Sequence, residues 1–100
     1  TDLSVDEAIL AARNVGLYTL VALQDAIGSL DRVEQVVRTF GMVNAAPGFT
    51  EHPRVIDGFS NLFIDIFGEK GRGARSAVGM SSLPFNIPVE VEITIKILAE

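Results

Sequence analysis

Ala74-Arg75-Ser76-Ala77-Val78-Gly79-Met80, the corner Leu83-Pro84-Phe85-Asn86-Ile87-Pro88, and Val89-Glu90-Val91-Glu92-Ile93-Thr94-Ile95-Lys96-Ile97 together read as two strands joined by a turn. In the second of these, Val89, Val91, Ile93, Ile95 and Ile97 alternate with Glu90, Glu92, Thr94, Lys96 and Leu98. Period-two alternation packs one face on helices and leaves the other in a more polar setting. On the preceding strand the apolar Val78 and Met80 take the helix-packed face, and Ser76 follows by parity. Arg75, Ala77 and Gly79 then share a face with Glu90 and Glu92.

An antiparallel hairpin keeps these faces aligned in two registers, with Arg75 opposite Thr94 or opposite Lys96. Like charges directly opposite are destabilising, which favours Thr94. Ala77 then faces Glu92, Gly79 faces Glu90, and Arg75 lies diagonal to Glu92. Two readings stay open at this point. Arg75 and Glu92 form a half-buried ion pair with no further role, or Arg75 clamps the carboxylate of a small acid through its planar fork while Glu90 moves protons.

Working outward, Ser4-Val5-Asp6-Glu7 is a capping box that starts a helix. Ala8, Ile9, Ala12, Val15, Leu17 or Tyr18, Leu20, Val21, Leu23 and Ile27 follow at helical spacing, so a helix is expected over Val5–Ile27, closed by Gly28. Its small residues suggest close packing on a sheet. Val33 to Val43, rich in β-branched residues, reads as a strand with both faces covered; Val36, Phe40 and Met42 share one face with Arg38, and Val33, Val37 and Val43 share the other. Asn44 to Pro53 is a loop. Val55, Ile56, Phe59, Leu62, Phe63, Ile66 and Phe67 make the stripe of a second helix that Gly68 ends. Gly71-x-Gly73 precedes a strand instead of opening a helix, so it lacks the geometry of a phosphate loop.

One hundred residues suffice for a single core and no second domain. The chain is 48% hydrophobic with mean hydropathy +0.35, a surplus that points to a buried interface. The net charge is −5, and the eight Lys and Arg are scattered apart from the short run Lys70-Gly71-Arg72-Gly73-Ala74-Arg75, a balance that speaks against nucleic-acid binding. With no cysteine and one histidine, His52, the chain has neither a thiol nucleophile nor the ligands of a multi-His or Cys zinc site. No apolar run reaches membrane-spanning length and no signal-peptide pattern opens the chain, so a soluble, cytoplasmic protein without a membrane partner is expected.

Ala74-Arg75-Ser76-Ala77-Val78, Leu83-Pro84 and Val89-Glu90-Val91-Glu92-Ile93 resemble the C-terminal signature of the Rid/YjgF family, the reactive-intermediate deaminases also labelled endoribonuclease L-PSP. The resemblance implies an α+β, chorismate-mutase-like fold: a mixed sheet with two helices on one face, in the order helix-strand-helix-strand-strand. It also implies a homotrimer with small-ligand clefts between subunits and, in the deaminase branch, cofactor-free hydrolysis of enamines or imines to 2-oxo acids and ammonia. In that branch the arginine of the Ala-Arg-Ser segment binds the substrate carboxylate, which maps onto Arg75. The first glutamate of the last strand lies near the attacking water and maps onto Glu90.

Ala77 stands where the deaminases commonly carry cysteine, and Asp57 where they carry asparagine; with Glu92, these complete the expected binding residues. The family also opens with a strand hairpin, so residues 1–100 are expected to be a single domain truncated at its N-terminal side relative to the family. The last strand would then be an open edge, able to pair with another chain through residues 89–98. The expected function is small-carboxylate binding with imine or enamine hydrolysis. The alternative is a non-catalytic binding or oligomeric scaffold. A ribonuclease, suggested by the family label, is opposed by the acidic balance and the lack of a histidine pair.

Overall fold

The Ser4 hydroxyl accepts from the Glu7 backbone N–H at 3.1 Å, and the Ser4 N–H donates to Glu7 Oε1 at 3.0 Å, so two of the donors left over at a helix start are satisfied. In the computed structural model, which describes residues 4–99, this box opens α1 (Val5–Ile27), which ends at Gly28. There follow β1 (Val33–Asn44), α2 (His52–Phe67), β2 (Ala74–Met80) and β3 (Val89–Ile97). Both helices and all three strands fall where the sequence places them.

Pairing differs from the expected hairpin. The strand order is β2-β1-β3, with β1 parallel to β2 and antiparallel to β3. Twelve residues long, β1 lies in the middle with both edges paired. The segment between β2 and β3 does not turn tightly enough for a hairpin; it passes over the end of β1. Ala45 N–H donates to the Met80 carbonyl at 3.1 Å and Asn44 N–H to that of Pro88 at 2.9 Å. The Asn44 side-chain amide donates to Asn86 Oδ1 at 2.9 Å and to the Ile87 carbonyl at 3.1 Å. These bonds hold a corner in which Phe85 and Asn86 have φ of 57° and 55°.

The inserted strand reverses the facial assignment. Thr39 pairs with both Arg75 and Ile93, Gly41 with Ala77 and Val91, Val43 with Gly79 and Val89. Paired residues point the same way, so Arg75, Ala77 and Gly79 lie with the apolar row of β3 beneath the helices. Ser76 and Val78 lie on the opposite face with Phe40, Met42, Glu90 and Glu92. Along β1, register shifts between Val33 and Gln35 and between Val36 and Arg38 each insert a residue. Val33, Val36 and Thr39, three apart, thus turn inward and are 2%, 1% and 6% exposed, and Val37 turns out. Simple alternation had placed Val36 with Phe40 and Met42; the bulges move it to the helix side.

Above this sheet, α2 supplies the bulk of the core. Val55, Ile56, Phe59, Leu62 and Phe63 are buried, and the rings of Phe59 and Phe63 stack with centroids 4.6 Å apart. Full burial of each such ring contributes roughly 1.5–3 kcal/mol. The small residues of α1 serve contact with α2 more than with the sheet. Ala8, Ala12, Gly16 and Leu20, four apart, are the buried row of α1. A Cβ on Gly58 would lie 2.1 Å from the Ile9 carbonyl oxygen. Because the backbones approach so closely, the covered strip of α1 is narrow, and Leu17, Tyr18 and Val21, counted with the apolar stripe from spacing, remain exposed.

Gly58→Ala is expected to lower the unfolding free energy by about 3 kcal/mol in urea titrations, since the new methyl meets backbone that cannot step aside. The capping box carries a pH dependence. The Ser4 backbone N–H, then its hydroxyl, stabilise the Glu7 carboxylate and depress its pKa below the ordinary 4.5. A depressed carboxylate contributes stability above its unfolded value, and loses it as pH falls through the folded value. Thermal melts of the parent and Glu7→Gln are therefore expected to differ at neutral pH and to converge as pH falls below about 4.5.

Candidate functional site

On β2, Arg75 extends under α2, where its Nη1 donates to Asp57 Oδ1 at 2.6 Å and to Ser60 Oγ at 3.4 Å. Asp57, Ser60, Asn61 and Ile64 are spaced so that they line one flank of α2, next to the stripe that enters the core. That flank overhangs β2 and closes one side of a cleft of about 200 Å³; the residues before β2, among them Arg72, close the other. Thr39, on β1 beside Arg75, also lines it and is 6% exposed. No other described residue hydrogen-bonds to the Thr39 hydroxyl, and no side-chain oxygen or nitrogen sealed from solvent among the described residues lacks a partner, so this hydroxyl opens to the cleft.

The Arg75 side chain is 29% exposed and that of Asp57 46%. One nitrogen of the guanidinium is committed to Asp57 and Ser60. The edge formed by Nε and Nη2 makes no hydrogen bond to a described residue. This edge presents two parallel N–H donors, the pattern that matches a carboxylate. Asp57 therefore holds the arginine in one orientation and leaves its side-on face available. Arg72, in the same cleft, is paired with Glu69 Oε2 at 3.3 Å.

Of the residues singled out from sequence, the structure brings together Arg75 and Asp57. Ala77 lies two residues along the same face, packed against the core, and is not part of the cleft lining. Glu90 and Glu92 pair with Met42 and Phe40, on the far face of the sheet and across β1 from Arg75. The diagonal Arg75–Glu92 pair is thus corrected: Asp57 is the acid that Arg75 meets, because β1 separates β2 from β3. Nor does Gly79 lie beneath Glu90. It lies beside the His52 imidazole, which packs edge-on against Phe49 at 5.1 Å. Thr39, Ser60, Asn61 and Arg72 were not anticipated. The signal was present for two of them, since Ser60 and Asn61 follow Asp57 by three and four residues on the polar flank of a helix.

A family model described as "YjgF/chorismate_mutase-like, putative endoribonuclease" matches residues 1–97. The chain belongs to this family. It is 44% identical over 96 residues to Protein TCP17 of Trypanosoma cruzi, a match that covers 95% of this chain and 60% of that protein. Among solved structures, Atu1372 of Agrobacterium tumefaciens, a protein of unknown function, superposes with a TM-score of 0.95 at 39% identity, covering 98% of this chain and 63% of that one. A "putative endoribonuclease" from Shewanella oneidensis MR-1 superposes with a TM-score of 0.92 at 33% identity, covering 97% and 64%. The chain thus spans a little under two thirds of the length of each of these relatives.

Replacing Asp57 by alanine is expected to cost no more than about 1 kcal/mol of stability, because the pair it forms with Arg75 is partly exposed and water screens both charges. A larger loss in urea titration would mean that the pair is structural and not merely orienting.

Proposed function

We propose that this protein binds a small carboxylate ligand through Arg75 and, where subunits meet, hydrolyses imine or enamine intermediates to 2-oxo acids and ammonia. The observation that supports the reading is the arginine held from one side by Asp57, with no hydrogen bond from its Nε–Nη2 edge to a described residue, in the lining of a cleft of about 200 Å³. That volume suits a ligand of a few heavy atoms, smaller than an ordinary drug-sized pocket. Family membership supports it too, with Arg75 and Glu90 at the positions that the signature assigns to carboxylate binding and to the attacking water.

In this reading water adds to the carbon of the C=N bond as a carboxylate takes its proton. The carboxylate returns that proton to the nitrogen, which leaves as ammonia while the carbinolamine hydroxyl gives up its proton and the C–O bond becomes the carbonyl of a 2-oxo acid; an enamine enters the same path after taking a proton on its β-carbon. Since Glu90 lies on the face away from Arg75, the carboxylate acting on a ligand in the Arg75 cleft would come from Glu90 of a neighbouring subunit, with Glu92 of that subunit beside it. No cofactor enters this chemistry. A homo-oligomer is therefore part of the proposal, either a trimer or an assembly paired through the edge of β3, whose outer side has no strand beside it among the described residues. The cytoplasm is the proposed compartment; no helix among the described residues is long and apolar enough to cross a membrane.

The separation of Arg75 from Glu90 favours one second reading, a non-catalytic binding or oligomeric scaffold. A ribonuclease is disfavoured by the net charge of −5 and the single histidine. The deciding measurement is thermal stabilisation by small 2-oxo acids in the parent and in Arg75→Ala, followed by ammonia release from an enamine substrate in the parent and in Glu90→Gln. The parent is expected to gain about 2.7 kcal/mol at a ligand concentration of 100 Kd, and Arg75→Ala nothing. Stabilisation without ammonia release would favour the scaffold, no response in either chain would remove the carboxylate clamp, and a monomeric mass in solution would remove the shared site.

A further inference from the structure

Two polar residues are buried among the described residues, Thr39 at 6% exposure and Asn44 at 8%. The Asn44 amide serves the corner, where it donates to Asn86 Oδ1 and to the Ile87 carbonyl. Thr39 has no such task. It stands in the inward row of β1 with Val33, Val36 and Val43, and its hydroxyl bonds to no described residue. Burying a hydroxyl costs stability unless it finds a partner, so a valine of the same shape would suit the core better at this position. The part-buried hydroxyl of Thr19 has its partner in the Val15 carbonyl at 2.8 Å. That of Thr39 has only its small opening, and the opening is the cleft beneath α2.

Register fixes where this hydroxyl lies relative to Arg75. The two residues are partners on the parallel strands β1 and β2, so their side chains rise from one face about one strand spacing, roughly 4.8 Å, apart. A cleft of about 200 Å³ holds only a few heavy atoms, so a ligand fixed on Arg75 has its remaining atoms within reach of Thr39. The other hydroxyl of the cleft, on Ser60, already accepts from Arg75 Nη1 at 3.4 Å. A threonine hydroxyl both donates and accepts. It can donate to the oxygen of a C=O group or accept from the N–H of a C=N group, and it can do neither with a methylene.

We infer that Thr39 is the specificity-determining residue of the cleft: its hydroxyl bonds the oxygen or nitrogen on the carbon beside the ligand carboxylate, which selects 2-oxo and 2-imino acids over the same acids with a methylene there. The inference rests on the proposed role of Arg75. A ligand that covers the hydroxyl with a methylene cuts it off from water and leaves it unpaired, whereas a C=O or C=N group takes the place of water. One side chain thus serves both ends of the proposed reaction, accepting from the imine and donating to the oxo acid.

The test is calorimetric titration of the full chain with pyruvate and propionate, which share a three-carbon skeleton and are both ionised at neutral pH. The parent is expected to bind pyruvate about tenfold more tightly than propionate. In Thr39→Val, which keeps the shape and removes the hydroxyl, the ratio falls toward one; in Thr39→Ser it is retained; in Arg75→Ala both acids are lost. Thr39→Val is also expected to melt no lower than the parent, because the hydroxyl it removes has no partner in the fold. Equal affinities in the parent, a preference for pyruvate that survives in Thr39→Val, or its loss in Thr39→Ser overturns the inference, and so does a Thr39→Val chain that melts well below the parent. If binding still vanishes in Arg75→Ala, the carboxylate clamp stands without it. No binding of either acid to the parent removes both the clamp and the selectivity built on it.

Discussion

The approach of α2 to the middle strand, close enough that a Cβ on Gly41 would meet Ile56 at 2.5 Å, is the constraint from which the rest of the molecule follows. With Ile56 seated against the bare backbone of β1, the stripe Val55, Phe59, Leu62 and Phe63 is committed to the core. The neighbouring flank of the helix then has nowhere to go but over β2. Asp57, Ser60 and Asn61 are brought above Arg75 by this placement, not by any affinity of their own. A partly exposed ion pair contributes too little to position a helix; the buried apolar rings do that, and the polar cleft is a consequence.

The same packing divides the chemistry of the sheet. Every second residue of β2 and β3 points toward the helices, and the central strand fixes both registers, so Arg75 falls on one face and Glu90 and Glu92 on the other. Within one subunit Glu90 stays on the face of the sheet away from Arg75. Any reaction that needs both must draw them from different subunits. The two outer strands each have one unpaired side among the described residues, and Phe85 stands fully exposed on a corner braced by Asn44.

Element positions were legible because each rests on local chemistry: the Ser4–Glu7 box, the apolar stripe of α2 and the strict alternation of β3 name their own boundaries. Strand order was not, because it depends on competition among strands. Two strands joined by a short proline-rich segment look like a hairpin until the longer β1, with more to bury, takes the place between them. The facing of Val36 was hidden for a related reason: two bulges are invisible to a count of alternating residues. Once the hairpin was assumed, parity carried Arg75 to the wrong face, and Glu92 became its partner on paper. The arginine itself was found by its residue type and its motif, which survive an error of register.

That Arg75 met an acid in either arrangement shows what parity arguments can and cannot do. The sequence reading paired Arg75 with an acid through cross-strand proximity on a half-buried face, and an acid is what it meets. Its identity was set by which element overhung it. Asp57 is presented by a helix, which holds a side chain at a fixed height above the strand, whereas Glu92 would have lain flat on the sheet beside it. The difference matters for chemistry: an acid on the sheet would have covered the guanidinium fork, while an acid reaching down from α2 takes one nitrogen and leaves the far edge of the fork uncovered. The fork keeps one edge without a partner among the described residues because the helix supplies the counter-charge from one side only.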